Sequence, residues 1–256
     1  VGGPDPHLQT VVELSLAENW TERVWRGGCY AGVYNVPAAE FIWQHWSHAK
    51  VLREGAQLEG WLRSVWRNIP TRRERRSVRT PEQLARYLIE YAEWIPTGFD
   101  DAKEFPGAPS YEELWEDVGR VYTAGRYLKI KLLELLRRGC GLQVSMPDLR
   151  ADGGKYPRQG LALLRPDESN ALLGGNSPET VSRVEAVVRE THQDLRDRHG
   201  LQLDNFLLQV MLCDYKQSFV GGRQYPGRSL DSEIIYYHKV VYDNPVYTSR
   251  MFEARG

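Results

Sequence analysis

The sequence predicts a mostly α-helical fold, a single globular domain of about ten helices over residues 1–256. Three capping sequences indicate helix starts, and apolar residues recur at helical spacing after two of them. Sustained alternation of apolar and polar residues, which is typical of half-buried strands, is nearly absent. The 256 residues are 41% hydrophobic and 26% charged, which is enough to bury a substantial core.

Capping signals place three of the helices. Thr80-Pro81-Glu82-Gln83 precedes apolar residues at 84, 88, 91 and 95, and Ser110-Tyr111-Glu112-Glu113 is a second capping box. Ser177-Pro178-Glu179 opens a third helix, whose apolar stripe at 181, 184, 188 and 195 runs to Gly200. Apolar content and length predict further helices over 36–52, 57–69, 118–138, 204–219 and 230–242. Irregular loops are expected over 96–109, 139–160 and 221–227.

The stretch 139–160, which carries Gly and Pro, is the best candidate for an internal domain boundary. The helices on either side of it are too few for two cores, so one domain is expected. No apolar run is long enough for a membrane span, and no secretion signal is recognisable at the start of the chain. Cys29, Cys140 and Cys213 form no C-x-x-C pair, which argues against a disulfide framework and a zinc finger. We therefore expect a cytoplasmic protein without a membrane partner.

The basic residues are strongly biased towards arginine. The net charge is only -1, but 26 of the 33 basic residues are Arg and seven are Lys. Codon bias in a GC-rich genome explains this ratio as well as function does. The functional alternative is that the Arg fork binds phosphate in a bidentate way that Lys cannot match.

Several common catalytic signatures are missing. The sequence has no G-x-x-x-x-G-K-[ST], no G-x-G-x-x-G after a strand, no H-E-x-x-H and no G-x-S-x-G. His45 and His48 share a helix face, but no third ligand completes a metal site, so a structural role beside Trp43 and Trp46 is favoured. We expect neither a metal nor another cofactor.

The first informative cluster is the segment 19–37. It combines glycines at 27, 28 and 32 with aromatic, Arg and Asn side chains, among them Trp25, Arg26, Tyr34 and Asn35. Stacking rings beside amide and guanidinium donors suit a protein that holds an extruded base. The alternative is a structural loop with packed Trp and Tyr residues.

The second cluster surrounds Asp214. This residue continues the apolar stripe of Leu207, Val210 and Met211, so it is predicted to point inward and to need a partner. Lys216 lies roughly opposite on the helix, and the arginines of the following glycine-rich loop, Arg223 and Arg228, are better candidates. An acid beneath mobile basic residues suits a general base with an anion clamp, and a buried structural Asp–Arg pair is the alternative.

Two groups of basic residues are candidates for contact with a nucleic-acid backbone. One precedes the helix that starts at Thr80, and the other lies along the helix 118–138. A solvated charged face is the alternative for both. The backbone-binding candidates are Arg72, Arg73, Arg75, Arg76, Arg126 and Lys129.

A family resemblance is carried by three stretches of the chain. They are Arg26–Glu40, the helix from Val118 that contains Gly125-Arg126-Tyr127-Leu128-Lys129-Ile130-Lys131, and Leu212-Cys213-Asp214-Tyr215-Lys216 with Arg223-Gln224-Tyr225-Pro226-Gly227. Together they resemble the amino acid:DNA transferases of bacteriophages, also called α-glutamyl/putrescinyl thymine pyrophosphorylases.

The resemblance implies a step in thymine hypermodification. In that family a separate kinase pyrophosphorylates a 5-hydroxymethyluracil already in DNA, and the transferase replaces the pyrophosphate with an amino acid or a polyamine. It also implies a helical fold related to DNA glycosylases, and the cytoplasm of the host cell as the location of a phage-encoded enzyme.

This chemistry assigns roles to the candidate residues. Asp214 or Glu40 would take the proton of the incoming amine. Tyr34, Trp25 or Tyr225 would stack the extruded base, and Asn35 would read its uracil edge. Arg223, Arg228 and Lys216 would hold the pyrophosphate or the carboxylate of an amino acid. Arg26 is expected to join the substrate-binding residues of its segment.

Three alternatives stay open at the level of the sequence. A helical DNA glycosylase would use Asp214 to stabilise an oxocarbenium-like state and would leave abasic sites. A non-catalytic helical module would position DNA for a partner kinase. If the arginine excess results only from codon bias, the protein need not bind DNA.

Overall fold

A computed structural model describes residues 5–69, 78–95, 109–150, 154–220 and 226–237, with only the backbone for 68, 226–229, 236 and 237. The described residues form twelve α-helices and no strand, which confirms the predicted mostly α-helical class. In order they are α1 (Pro6–Ser15), α2 (Trp20–Val33), α3 (Val36–His45), α4 (His48–Val65), α5 (Pro81–Trp94), α6 (Tyr111–Val118), α7 (Arg126–Cys140), α8 (Lys155–Leu164), α9 (Ser169–Leu173), α10 (Pro178–His199), α11 (Asn205–Phe219) and α12 (Pro226–Tyr237).

The chain divides into two compact units. Among the described residues, the larger unit contains α1–α7 and α12, and the smaller unit contains α8–α11. The single domain expected from the sequence stays a prediction.

The three predicted caps are all present. Thr80 Oγ1 accepts a hydrogen bond from the backbone amide of Gln83 at 3.3 Å. Ser110 forms a reciprocal capping box with Glu113. Ser177 caps α10, which ends at Gly200 with a left-handed φ of 65°. These local interactions satisfy amide groups that a helix start leaves without partners.

Several predicted boundaries are wrong. The helix expected over 36–52 is interrupted because Trp46 is extended and Ser47 caps a new helix, α4. The predicted helix 57–69 is the second half of α4 followed by a short 3₁₀ turn. The helix expected from 118 begins only at Arg126, after a turn in which Thr123 has a φ of 61°.

The predicted loops also need correction. Residues 139–160 include the end of α7 and the start of α8, so that loop is shorter than expected. Helix α12 begins at Pro226 rather than 230 and extends to Tyr237. Residues 96–108, 221–225 and 238–242 lie outside the described residues.

Helix α2 is the centre of the larger unit, where it packs against α1, α3, α4, α5 and α7. Every residue of α2 from Gly27 to Val33 is buried. The Tyr87 hydroxyl of α5 donates to the Gly28 carbonyl at 3.0 Å, and the Tyr91 hydroxyl donates to the Val24 carbonyl at 2.8 Å. The glycine-rich segment is therefore a helix that larger side chains approach closely, and not a loop.

The smaller unit has its own apolar core. Helix α8 packs on α11 and α9, and α9 packs on α10. A Cβ at Gly160 would overlap the carbonyl of Leu212, so these two helices touch through their backbones. The core consists of Leu149, Leu161, Ala162, Leu172, Val184, Val187, Val188, Leu208 and Leu212.

Candidate functional site

Tyr34 and Asn35 lie at the junction of α2 and α3, and both are buried. Tyr34 ends α2 with a left-handed φ of 54°, and Asn35 begins α3. The Asn35 side-chain oxygen accepts a hydrogen bond from the Ala38 amide at 2.9 Å. This oxygen therefore caps the start of α3, and the predicted substrate-reading role of Asn35 stays a prediction.

The hydroxyl groups of Tyr34 and Tyr127 are hydrogen-bonded at 2.5 Å. Their rings meet edge to face with centroids 5.5 Å apart. This contact joins two stretches that the sequence analysis singled out separately, the first cluster and the Gly125–Lys131 motif. Burial raises the pKa of the Tyr127 hydroxyl well above its ordinary value, so Tyr127 is neutral at pH 7.

Buried charges lie next to this tyrosine pair. Lys131, one turn after Tyr127 on α7, is only 3% exposed, and its ammonium lies 3.2 Å from Glu134 Oε2 and 3.6 Å from Asp5 Oδ2. His7 Nδ1 lies 3.2 Å from the other Asp5 oxygen. We name Tyr34, Tyr127, Lys131, Asp5, His7 and Glu134 the buried polar cluster.

The charges of the buried polar cluster stabilise one another. Burial alone would raise the pKa of Asp5, but its hydrogen bond to His7 and the Lys131 ammonium outweigh burial and hold that pKa well below its ordinary value. Burial alone would lower the pKa of Lys131, but the carboxylates of Glu134 and Asp5 raise it. Both groups are therefore charged at neutral pH, and the ion pairs tie α1 to α7.

The buried polar cluster was not predicted from the sequence. Lys131, Glu134 and Arg138 recur at helical spacing, and Arg138 Nε lies 3.2 Å from Glu134 Oε1. That spacing could have indicated ion pairs along α7. The Asp5 partner could not be found this way, because it lies far away in the sequence.

Trp25 and Arg26 pack inside the larger unit. The Trp25 indole is fully buried, donates to the Trp46 carbonyl at 2.8 Å and stacks on Tyr91. Arg26 donates to the Leu14 carbonyl at 2.6 Å and pairs with Glu18 at 2.5 Å. These contacts favour the packed alternative for this part of the first cluster, and the substrate-binding roles of both residues stay predictions.

The two candidate bases have different surroundings. Glu40 of α3 is fully buried, and its Oε1 accepts from the Gln44 amide at 3.0 Å. Asp214 of α11 is half-buried, as are Leu207, Val210 and Met211 of the stripe predicted to face inward. The fully buried positions of α11 are instead Phe206, Leu208, Gln209 and Leu212.

Lys216 lies on the side of α11 that faces α8. Its ammonium is 4.7 Å from the centre of the Tyr156 ring, in the first turn of α8. Asp214 is two residues away, which places it about 160° around the helix from Lys216. The predicted separation of this carboxylate from this ammonium stays a prediction.

The remaining candidates divide between described and undescribed residues. Lys129 donates to the Trp115 carbonyl at 3.1 Å and lies 4.3 Å from the centre of its ring, so it ties α7 to α6. Arg126 begins α7 and is half-buried. Outside the description lie the side chain of Arg228 and the whole of Arg72, Arg73, Arg75, Arg76, Arg223 and Tyr225.

No helix among the described residues is both long and apolar enough to cross a membrane. Within the same residues, no three His, Cys, Asp or Glu side chains are grouped so that they could hold a metal ion.

The described residues form an all-helical fold with two helical units. Residues 30–223 match the profile of the family described as Amino acid:DNA transferase. Because the match covers about three quarters of the chain, the chain belongs to this family. It is therefore a transferase whose substrates are DNA and an amino acid. None of the curated proteins compared with the chain matches it.

Proposed function

We propose that this enzyme transfers the amine of an amino acid or polyamine onto the 5-methylene of a pyrophosphorylated 5-hydroxymethyluracil in DNA. The observation that carries the proposal is the family match over 30–223, which includes the Tyr34–Asn35 junction, the Tyr127–Lys131 motif and Asp214. A kinase acting on 5-hydroxymethyluracil in DNA would supply the substrate, and the natural setting would be a phage-infected cell.

The reaction exchanges one bond for another. The bond between the methylene carbon and the pyrophosphate oxygen breaks, and pyrophosphate leaves with the bonding electron pair. The amine nitrogen then bonds to the methylene carbon and gives up one proton. The protein has to neutralise charge on the leaving group, which Arg and Lys side chains can do, and to accept that proton.

Asp214 is our candidate for the proton acceptor. A half-buried carboxylate can meet a substrate from outside the fold, whereas the Glu40 carboxylate is fully buried and engaged by Gln44. A general base must reach the proton that it removes. We therefore propose Asp214 as the base and Glu40 as a residue that positions α3.

The other roles follow the chemistry of each side chain. Tyr34 and Tyr225 would stack on the extruded base, with the Asn35 amide on the uracil edge. Arg223, Arg228 and Lys216 would hold the leaving group. The arginines at 72, 73, 75 and 76, with Arg126 and Lys129, would contact DNA phosphates.

Mass spectrometry of nucleosides tests this proposal. DNA that carries pyrophosphorylated 5-hydroxymethyluracil is incubated with the protein and a mixture of amino acids and polyamines, and is then digested. A new nucleoside heavier by one amine adduct is expected, and it names the co-substrate. Unchanged nucleosides would contradict the proposed transfer, and release of the free base would indicate a glycosylase instead.

A further inference from the structure

The first turn of α8 has no side-chain cap among the described residues, and Gly154 directly precedes the helix. Lys155 and Tyr156 follow and are exposed, and Pro157 has no amide hydrogen. A ten-residue helix with an uncapped start presents amide groups and the positive end of its dipole, both of which favour an anion.

Arg158, in the same turn, is a buried cation without a carboxylate partner among the described residues. It is 6% exposed. Its Nε donates to the Leu172 carbonyl at 2.7 Å, and Nη1 donates to Asn176 Oδ1 at 2.8 Å. Both acceptors are neutral, and within the described part of the chain the buried Nη2 has no hydrogen-bond partner. A buried charge is normally paired, so this guanidinium favours the binding of an anion.

These features line one pocket. Its volume is about 410 Å³, and its described lining includes Gly154, Lys155, Arg158, Gln159, Gly175 and Asn176. We call it the α8 pocket. The described lining contains two cationic side chains and no carboxylate. A zwitterionic amino acid would need an acceptor for its ammonium group, so the lining favours an anion without a positive end.

We propose that the α8 pocket binds a phosphoryl oxyanion, with the Arg158 guanidinium and the Lys155 ammonium as its charged donors. Arg is suited to this role because its planar guanidinium is held in place by the hydrogen bonds of Nε to Leu172 and of Nη1 to Asn176. The pyrophosphate group is the occupant that the proposed transfer reaction supplies, and in naming it this inference rests on the proposed function.

Neighbouring contacts hold the pocket in place. The backbone contact of Gly160 with Leu212 fixes α8 against α11. Lys216, which was expected from the sequence to bind pyrophosphate, lies over Tyr156 in the same turn as Lys155. A third cation therefore stands beside the first turn of α8, which suits a ligand with several negative charges.

Calorimetric titration of the full chain with inorganic pyrophosphate, without DNA or amine, tests the site. Wild type is expected to bind pyrophosphate in the α8 pocket. Lys155→Gln should weaken binding several-fold and Arg158→Gln at least about tenfold, because each removes a charge-assisted hydrogen bond. Arg196→Gln, which removes an exposed charge on α10, is the matched control and should bind as wild type does.

Each outcome decides the inference. Unchanged affinity in Lys155→Gln and Arg158→Gln, or an equal loss in Arg196→Gln, would overturn it. If Arg158→Gln does not fold, as judged by circular dichroism, the comparison of Lys155→Gln with Arg196→Gln decides alone. Tighter binding of a free amino acid than of pyrophosphate would overturn the phosphoryl assignment. Because titration needs no turnover, it tests pyrophosphate binding by the α8 pocket independently of the nucleoside assay.

Discussion

The ring of Tyr91 fills the space that a side chain at Gly28 would need. A Cβ at Gly28 would overlap this ring, which is held because its hydroxyl donates to the Val24 carbonyl of the same helix, α2. The close approach of α5 to α2 therefore depends on a position without a side chain. The neighbouring Gly27 differs, because a Cβ there would make an ordinary contact at 3.7 Å from Leu135 Cβ.

Gly28→Ala is expected to destabilise the larger unit by about 2–4 kcal/mol, since Tyr91 is packed too tightly to move aside. Gly27→Ala is the matched control and should be neutral or stabilising by up to about 1 kcal/mol, because Ala favours a helix over Gly. All eight tryptophans lie between 20 and 115, so urea unfolding followed by tryptophan fluorescence reports on this unit. Equal stabilities of the two variants would contradict the packing argument.

Asp5→Asn is expected to reduce the acid sensitivity of the larger unit. The folded-state pKa of Asp5 lies below its ordinary value of 3.8, so its stabilising effect is present at neutral pH and is lost as the pH falls below about 5. Asn keeps the ability to cap α1 but has no charge for Lys131. The variant should be less stable at pH 7, and its stability should fall less between pH 5 and 3.

The control for Asp5→Asn is Glu13→Gln, which neutralises an exposed acid on the same helix. Its unfolding free energy should follow the wild-type dependence on pH. If Asp5→Asn has the same slope as wild type between pH 5 and 3, the ion pair with Lys131 does not determine acid stability.

The three cysteines should differ in reactivity. Cys29 and Cys140 are buried, and burial raises the pKa of both thiols, that of Cys140 to about 12. Cys213 is half-buried. A maleimide at pH 7.5 should therefore label one thiol per native chain and three after denaturation. Rapid labelling of two or three thiols in the native protein would show that the core opens more easily than its packing indicates.

One pair of variants distinguishes the role of the proposed base, Asp214, from that of the buried acid, Glu40. Asp214→Asn should lower turnover by about 10²–10⁴-fold, as loss of a general base does, with DNA affinity nearly unchanged. Glu40→Gln, which keeps a group able to accept from Gln44, should retain most activity if it folds. Full activity of Asp214→Asn in the nucleoside assay would remove Asp214 from the site.

Local signals predicted helix starts better than helix interiors. The caps at Thr80, Ser110 and Ser177 were predictable because the interactions span three residues. The glycine-rich part of α2 looked like a loop because Gly disfavours helices, and only the packing of Tyr87 and Tyr91 explains those glycines. The start of α8 was hidden because Gly154 and Pro157 both resemble loop residues.

The candidate site was only partly predictable for the same reason. Tyr34, Asn35 and Lys216 stood out through their motifs, and the structure adds a partner for each. The spacing of Lys131 and Glu134 could indicate an ion pair, but the burial of Lys131 and its distant partner Asp5 could not be predicted. Arg158 carries no local signal, because its role depends on burial and on the distant Leu172 carbonyl. A lysine or arginine in a charged helix is most often a solvated residue.

The most direct test of the proposed transfer is to quantify its two products in one reaction. The protein is incubated with pyrophosphorylated DNA and the amine found by mass spectrometry, and both inorganic pyrophosphate and modified nucleoside are measured over time. We expect one pyrophosphate for each amine adduct, with every glycosidic bond intact. Pyrophosphate released without a matching adduct, or abasic sites in place of the adduct, would contradict the central claim.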